Sequence, residues 1–326
     1  MSEITHRFVQ TNGIRMHIAE QGKGPTVLLL HGFPELWHMW KAQMAALADA
    51  GFHAVAPDLR GYGQTDGPAA PDTYTSLHQA GDIVGLIDAL GEERVVVAGH
   101  DWGALVTWTT CLVRPDRVSA AIVLSIPYLP RGDMSLLASA RAASGEGYYM
   151  NYFQTPGVAE AEFERDTRET FLKLVCGVPK SGAPRGSGLI VQPGQGMLDG
   201  LASPAALPPW FTEEELAYSA SEFKRTGFTG GFNYYRMLDK SWELMAPWNR
   251  AKVMTPALFI YGDKDPVVSS PRMREQIASM HVDVPNLKKS VCLAGAGHWI
   301  QWERAQEVSA EMIAFLPSST GWRSTY

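Results

Sequence analysis

The hydrophobic positions of the chain follow two periods. Residues 8–10 and 14–19 alternate apolar with polar around a Thr11-Asn12-Gly13 turn, which predicts a β-hairpin. Thr26–Leu30 is then apolar without interruption, as expected of a strand covered on both faces. Strands of similar character are predicted at 53–56, 94–98, 120–124, 256–261 and 290–293. Helical spacing separates them, as over 103–113, and a last helix is predicted over 303–315. Strands alternating with helices predict an α/β fold with a mostly parallel, doubly wound sheet and right-handed crossovers.

The alternation stops between residues 128 and 249. Helical spacing there covers 141–153, 159–175, 213–226 and 233–244, around a Gly-, Pro- and Ser-rich loop at 180–210. We therefore expect a core domain built from 1–127 and 250–326, with 128–249 inserted as a helical cap, or lid.

Composition narrows the function classes. With 45% hydrophobic and 19% charged residues among 326, the chain has a globular balance. A net charge of −6 without any run of Lys or Arg argues against nucleic acid as a partner. Three cysteines, Cys111, Cys176 and Cys292, lie far apart without metal-ligand or CxxC spacing, as expected of reduced thiols. The first 25 residues contain no long apolar run, so neither a signal peptide nor a membrane anchor is expected, and the cytoplasm is the default location. Gly61-Tyr62-Gly63 lacks the third glycine of a dinucleotide loop, and no HExxH, EF-hand or P-loop motif occurs. Neither cofactor nor metal is expected. Monomer and homodimer both stay open.

Candidate chemistry centres on residues 95–104, Val-Val-Val-Ala-Gly-His-Asp-Trp-Gly-Ala. This is the strand, sharp turn and helix of a nucleophile elbow, with Asp101 in place of the usual serine. Gly99 and Gly103 leave room for the turn. The plainer reading is that Asp101 only caps the following helix. A carboxylate is already ionised near neutral pH and needs no base to attack. Attack on an acyl group would give an unhelpful mixed anhydride. Attack on an sp3 carbon gives an ester that water can cleave, so the substrate class is an alkylating electrophile: an epoxide or an alkyl halide.

Two acids, Asp263 and Asp265, follow the strand at 256–261, and His298 follows the strand at 290–293. Nucleophile, acid and histidine then come in the chain order of α/β-hydrolases. His298 would activate water, and Asp265 would orient its ring, with Asp263 as the rival acid. Of nine histidines, His281 and His298 alone follow the acids, and His281 lies in a polar stretch. Upstream, the loop of His31-Gly32-Phe33-Pro34-Glu35 follows a strand; an amide there, at Phe33, together with that of Trp102, could form an oxyanion hole. Phe33-Pro34 is also a candidate cis bond.

These motifs resemble the soluble and plant-type epoxide hydrolases from about residue 4 to 315. The likeness rests on HGFPELWHMW (31–40), APDLRGYGQTD (56–66), GHDWGA (99–104), YYMNYFQTPGVAEAEF (148–163), FTGGFNYYRMLDKSWEL (228–244), GDKDPVV (262–268) and GHWIQWE (297–303). The first and third are shared with dehalogenases, while the cap segments are more specific. The resemblance implies an epoxide and water as the small-molecule partners, turned into a vicinal diol through an ester on Asp101. It also implies two cap tyrosines that hydrogen-bond the epoxide oxygen, at Tyr149 and Tyr235. Helical periodicity alone does not choose between these and Tyr148, Tyr152 or Tyr234, which stand as pocket candidates with Trp102 and Trp299. Glu35 resembles a family residue near the hydrolytic water, with a solvated loop acid as the alternative. Two rival functions share the fold. A haloalkane dehalogenase would use the same Asp and His, with the Trp102 indole on the halide. A non-catalytic binding protein could dispense with His298 or Asp265 without consequence.

Overall fold

The computed structural model describes residues 2–180, 182 and 189–319. The predicted hairpin is β1 (Thr5–Thr11) and β2 (Ile14–Gly22), paired antiparallel from Thr5 opposite Glu20 to Thr11 opposite Ile14. Asn12 and Gly13 make its two-residue turn with φ of 43° and 79°. The chain continues through β3 (Thr26–Leu30), α1 (Lys41–Asp49), β4 (His53–Pro57), α2 (Ser76–Ala89), β5 (Val95–His100), α3 (Trp102–Val113) and β6 (Val118–Leu124).

An insertion of helices follows: α4 (Leu136–Ser144), α5 (Tyr149–Tyr152), α6 (Val158–Phe163) and α7 (Thr167–Cys176). A short antiparallel pair comes next, β7 (Val178–Pro179) with β8 (Leu201–Ala202). Then come α8 (Glu213–Thr226), α9 (Thr229–Arg236) and α10 (Leu238–Leu244). The sheet resumes with β9 (Ala257–Gly262), α11 (Pro271–Asp283), β10 (Leu287–Leu293), α12 (Ile300–Glu303) and α13 (Ala305–Ser319).

Eight strands form one sheet in the order β1-β2-β4-β3-β5-β6-β9-β10. The pairs β1–β2 and β2–β4 are antiparallel and every other pair is parallel. All residues of β3 and β5 are buried, which is why their sequences read as unbroken apolar runs. From β3 the chain moves outward to β4 on one side, and from β5 it moves to β6 on the other. The loops leaving β3 and β5 therefore diverge at a switch point, and the crevice between them is where an open α/β sheet places its site.

Several predicted helices are shorter than their hydrophobic spacing implied. The 141–153 segment breaks after α4 at Gly145, which has φ 80°. The 159–175 segment breaks where the Asp166 side chain accepts the Glu169 N–H and caps α7. The 233–244 segment is α9 and α10, separated at Met237. α9 starts four residues early despite Gly230-Gly231, because a Cβ on Gly230 would strike the Gly61 backbone and one on Gly231 the Phe33 ring. Part of the 180–210 loop carries β8 and a turn at Leu198–Gly200, while residues 181 and 183–188 lie outside the described residues.

The insertion is held to the sheet by aromatic packing. Phe33, from the loop after β3, meets the rings of Phe153, Phe163, Phe228, Phe232 and Tyr235 with centroids 5.4 to 6.5 Å away. The Phe33-Pro34 peptide is cis. Among the described residues, no helix is long and apolar enough to cross a membrane.

Candidate active site

β5 ends at His100 and α3 begins at Trp102, so the chain must reverse at Asp101 alone. Asp101 does this with φ 50° and ψ −116°, a conformation that costs a non-glycine residue roughly 1–3 kcal/mol. Three glycines make the turn possible. A Cβ on Gly99 would run into the Gly103 carbonyl, one on Gly103 into the Leu30 carbonyl, and one on Gly32 into Asp101 itself. The Asp101 side chain forms no capping bond to α3. It points instead across the switch point, where the Phe33 N–H donates to Oδ1 at 2.9 Å.

The other oxygen faces histidine. His298, on the loop after β10, places Nε2 3.7 Å from Asp101 Oδ2, too far for a hydrogen bond but close enough for strong Coulombic attraction. Its Nδ1 donates to Asp265 Oδ2 at 2.9 Å, which leaves Nε2 facing Asp101. Asp265 is fully buried, and its Oδ1 accepts the Val267 N–H at 2.8 Å. The rival acid, Asp263, accepts the Gly295 N–H at 2.7 Å and shapes the neighbouring loop instead. His281 is exposed near the end of α11.

One small cavity of about 160 Å³ lies over this carboxylate. Asp101, His298, Tyr149 and Tyr235 line it, and the rest of its wall is mainly apolar, from Phe33 and Phe153 to Leu174, Val175 and Trp299. Burial and low polarity tune each ionisable group there. Burial opposes ionisation of Asp101, but the His298 imidazole, the charge of His100 and the Phe33 amide outweigh it, and the net shift is downward. Burial pushes the Tyr149 and Tyr235 phenols well above their ordinary range, and the Asp101 charge pushes them the same way. For His298, burial lowers the pKa while Asp265 and Asp101 raise it, and the carboxylates win by a wide margin.

The profile of the alpha/beta hydrolase fold family matches residues 25–305. Epoxide hydrolase 3 of Siraitia grosvenorii is 45% identical over 320 residues, covering 97% of this chain and 99% of the relative. Epoxide hydrolase A of Mycobacterium tuberculosis is 42% identical, covering 97% and 98%. The structure of potato (Solanum tuberosum) epoxide hydrolase I matches with a TM-score of 0.89 at 43% identity, covering 97% of this chain and all of the other. The chain belongs to the epoxide hydrolases of the α/β-hydrolase fold.

Within this family frame the remaining candidates take distinct places. Tyr234 is turned away from the cavity: its hydroxyl donates to the Arg60 carbonyl at 3.0 Å and its ring packs on Tyr62 and Tyr74. Tyr152 is also off the wall, because its hydroxyl donates to Glu162 at 2.9 Å. Tyr148 sits behind Tyr149, ring centroids 4.8 Å apart, and bridges to Ile190. Tyr234 and Tyr152 thus face partners outside the cavity, whereas Tyr148 adjoins it through Tyr149. Trp102 backs the cavity rather than lining it, its ring 4.9 Å from that of Tyr235. Its amide opens α3, whereas the hydrogen bond to the Asp101 carboxylate comes from Phe33. Trp299 does line the cavity, and its indole N–H donates to the Val175 carbonyl at 3.1 Å.

Glu35 is not a solvated loop acid. It is 1% exposed, accepts the Gly32 N–H at 2.7 Å and the Gln301 amide at 2.8 Å, and lies 3.0 Å from His100 Nδ1. His100 Nε2 donates to the His298 carbonyl at 2.8 Å, since a carbonyl can only accept. His100 and Gln301 were missed from the sequence. Their signal was position, one beside Asp101 and the other three residues past His298, but a buried network linking residues 35, 100 and 301 is invisible to local spacing.

Proposed function

We propose that this chain hydrolyses an epoxide to a vicinal diol through an alkyl-enzyme ester on Asp101. The observation that carries the reading is one small apolar cavity lined by a carboxylate kept ionised and two phenols kept protonated. An ionised nucleophile with un-ionised acids suits a leaving group that departs as an alkoxide still tethered to its carbon.

In this reading, Asp101 Oδ2 attacks a ring carbon and the C–O bond breaks. Tyr149 and Tyr235 hydrogen-bond the departing oxygen, and one of the two phenols gives it its proton, leaving a phenolate. Asp101 Oδ1 then becomes the carbonyl oxygen of the ester, with the Phe33 N–H already on it at 2.9 Å. His298 Nε2 takes a proton from water, and the resulting hydroxide adds to the Asp101 carbonyl carbon. Collapse releases the second alcohol oxygen, which takes the proton from His298, and the Asp101 acid left behind gives its proton back to the phenolate by way of solvent and is a carboxylate again. Asp265 holds the His298 ring and stabilises the imidazolium. Residues 128–249 act as a cap that brings the phenols over a core formed by 1–127 and 250–326.

Intact-mass measurement tests this directly. Ring opening needs no base, whereas ester hydrolysis does, so His298→Gln incubated with excess epoxide should gain the mass of one epoxide. Peptide mapping should put it on Asp101. A folded His298→Gln that stays unmodified, or a wild type that releases halide from alkyl halides and forms no diol, would overturn the assignment.

A further inference from the structure

Glu162 stands outside the triad and does not line the cavity, yet its carboxylate collects three donors. Tyr152 Oη donates to Oε2 at 2.9 Å, the Met197 N–H donates to Oε2 at 3.0 Å, and the Leu198 N–H donates to Oε1 at 2.9 Å. Gly196 packs so close that a Cβ there would collide with the same carboxylate. A side chain that accepts two consecutive backbone amides fixes that backbone tightly. The backbone in question presents Met197, and then Leu201, to the catalytic cavity.

The base of this clamp is rigid. Phe163, next to Glu162, is fully buried, with rings of Phe153, Phe228 and Phe232 at 5.2 to 5.7 Å. On the same short helix, Glu160 pairs with Arg236 at 2.8 Å, and the Arg236 Nε donates to the Phe153 carbonyl at 3.0 Å. α6 is thereby tied to the helix that carries Tyr235 through Glu160, and to the helix that carries Tyr149 through the Glu162–Tyr152 bond. The free face of α6 holds the wall segment.

We propose that Glu162 is a specificity-determining positioning residue: by clamping residues 196–198 it sets Met197 as a fixed apolar wall for the substituent that an epoxide carries away from its ring. This rests on the epoxide reading of the cavity. A substrate with a methyl substituent ends before that wall, whereas one with a longer alkyl chain packs on it. The clamp acts on tail binding and leaves the reacting atoms alone.

The experiment compares diol formation from 1,2-epoxypropane and 1,2-epoxyoctane by wild type, Glu162→Gln, Tyr152→Phe, Met197→Ala and the Glu162→Gln/Met197→Ala double variant. An amide cannot accept both N–H groups and the phenol as a carboxylate does. In Glu162→Gln, the kcat/KM ratio of the long to the short epoxide should fall about five- to tenfold, the contact of one or two methylenes. The change should lie in KM for the long substrate, with the short one held within about twofold. Tyr152→Phe keeps both amide bonds and should shift the ratio the same way by about twofold, which secures the test if Glu162→Gln folds poorly. The double variant should be no worse than Met197→Ala alone, since both act through one wall. An unchanged ratio in Tyr152→Phe and Glu162→Gln, an equal loss on both epoxides, or full additivity in the double variant would overturn the proposal. Wild type without diol from either substrate would instead overturn the epoxide reading, and this inference with it.

Discussion

Replacing Tyr235 by Phe removes one hydroxyl and almost nothing else. The ring is 4% exposed and is held by Trp102 at 4.9 Å, Phe153 at 5.0 Å, Phe33 at 5.7 Å and Tyr149 at 5.8 Å. Four aromatic neighbours keep a Phe ring in the same place, so any kinetic change reports the phenol. In the proposed mechanism the lost donor is one of two aimed at the departing oxygen in a buried site, and removing one such donor costs on the order of 10²-fold in rate, about 2.7 kcal/mol. The whole of that cost should fall on alkylation, because the phenols have no role once the ring has opened. Tyr149→Phe should behave likewise, and the double variant should lose more than either, since a remaining phenol still carries part of the developing charge. Stopped-flow tryptophan fluorescence can follow both steps, with Trp102 beside Tyr235 as the reporter, and rapid quench with mass detection counts the ester. Because burial holds both phenols far above their ordinary pKa, wild-type alkylation should show no loss from phenol ionisation up to roughly pH 10. If ester hydrolysis slows as much as alkylation, or if Tyr234→Phe slows alkylation and Tyr235→Phe does not, the assignment of donors is wrong.

Two further outcomes follow from the geometry. His298 is raised by Asp265 and Asp101 together, and alkylation removes the Asp101 charge; its proton should therefore leave at lower pH in the alkyl-enzyme than at rest. The single-turnover hydrolysis rate should rise with pH through a value below that found by NMR titration of the resting enzyme, and an equal or higher value would contradict the coupling. Gly103→Ala ought to stabilise an ordinary helix, but here the new Cβ meets the Leu30 and His31 carbonyls; a net loss of about 1–3 kcal/mol is expected, and a thermal melt showing a higher Tm would refute the close approach.

What was legible in the sequence followed from local causes. Thr26–Leu30 and Val95–His100 announce themselves because parallel strands covered on both faces need continuous apolar residues. Asp101 was visible because a one-residue reversal between strand and helix demands glycines on both sides. The order of Asp101, Asp265 and His298 was equally readable, but the choice of Asp265 over Asp263 depended on how the loop after β9 curls, and Gly295 on another loop settles it. The tyrosine register was hidden for a similar reason. Tyr234 and Tyr235 are chemically alike, and which one faces the cavity depends on where α9 begins. That start is set by Gly230 and Gly231 packing on Gly61 and Phe33, contacts remote in sequence. Helix breaks at Gly145 and Met237 were missed because hydrophobic spacing persisted across them. Glu35 sits in a loop that looks solvated, and its burial follows from partners 65 and 266 residues away.

In the proposed mechanism, the division of labour between sheet and insertion makes the two chemical steps separable. Groups that need charge, Asp101, Asp265 and His298, stand on loops at the ends of β5, β9 and β10, where a rigid parallel sheet holds them at fixed spacing. Groups that must stay neutral, Tyr149 and Tyr235, stand on inserted helices in an aromatic surround that disfavours phenolate. A single dielectric environment could not serve both sets, because the burial that protects a phenol from ionising also opposes a free carboxylate. The Phe33 amide and the imidazole of His298 resolve this by stabilising the carboxylate locally, while for Tyr235 the hydrogen bonds of Trp102 and Tyr149 do not offset burial and the Asp101 charge. Exchanging residues across this boundary should then change one step at a time. A defect in both steps points to the loop after β3, where Phe33 touches Asp101 through its amide and the tyrosine-bearing helices through its ring.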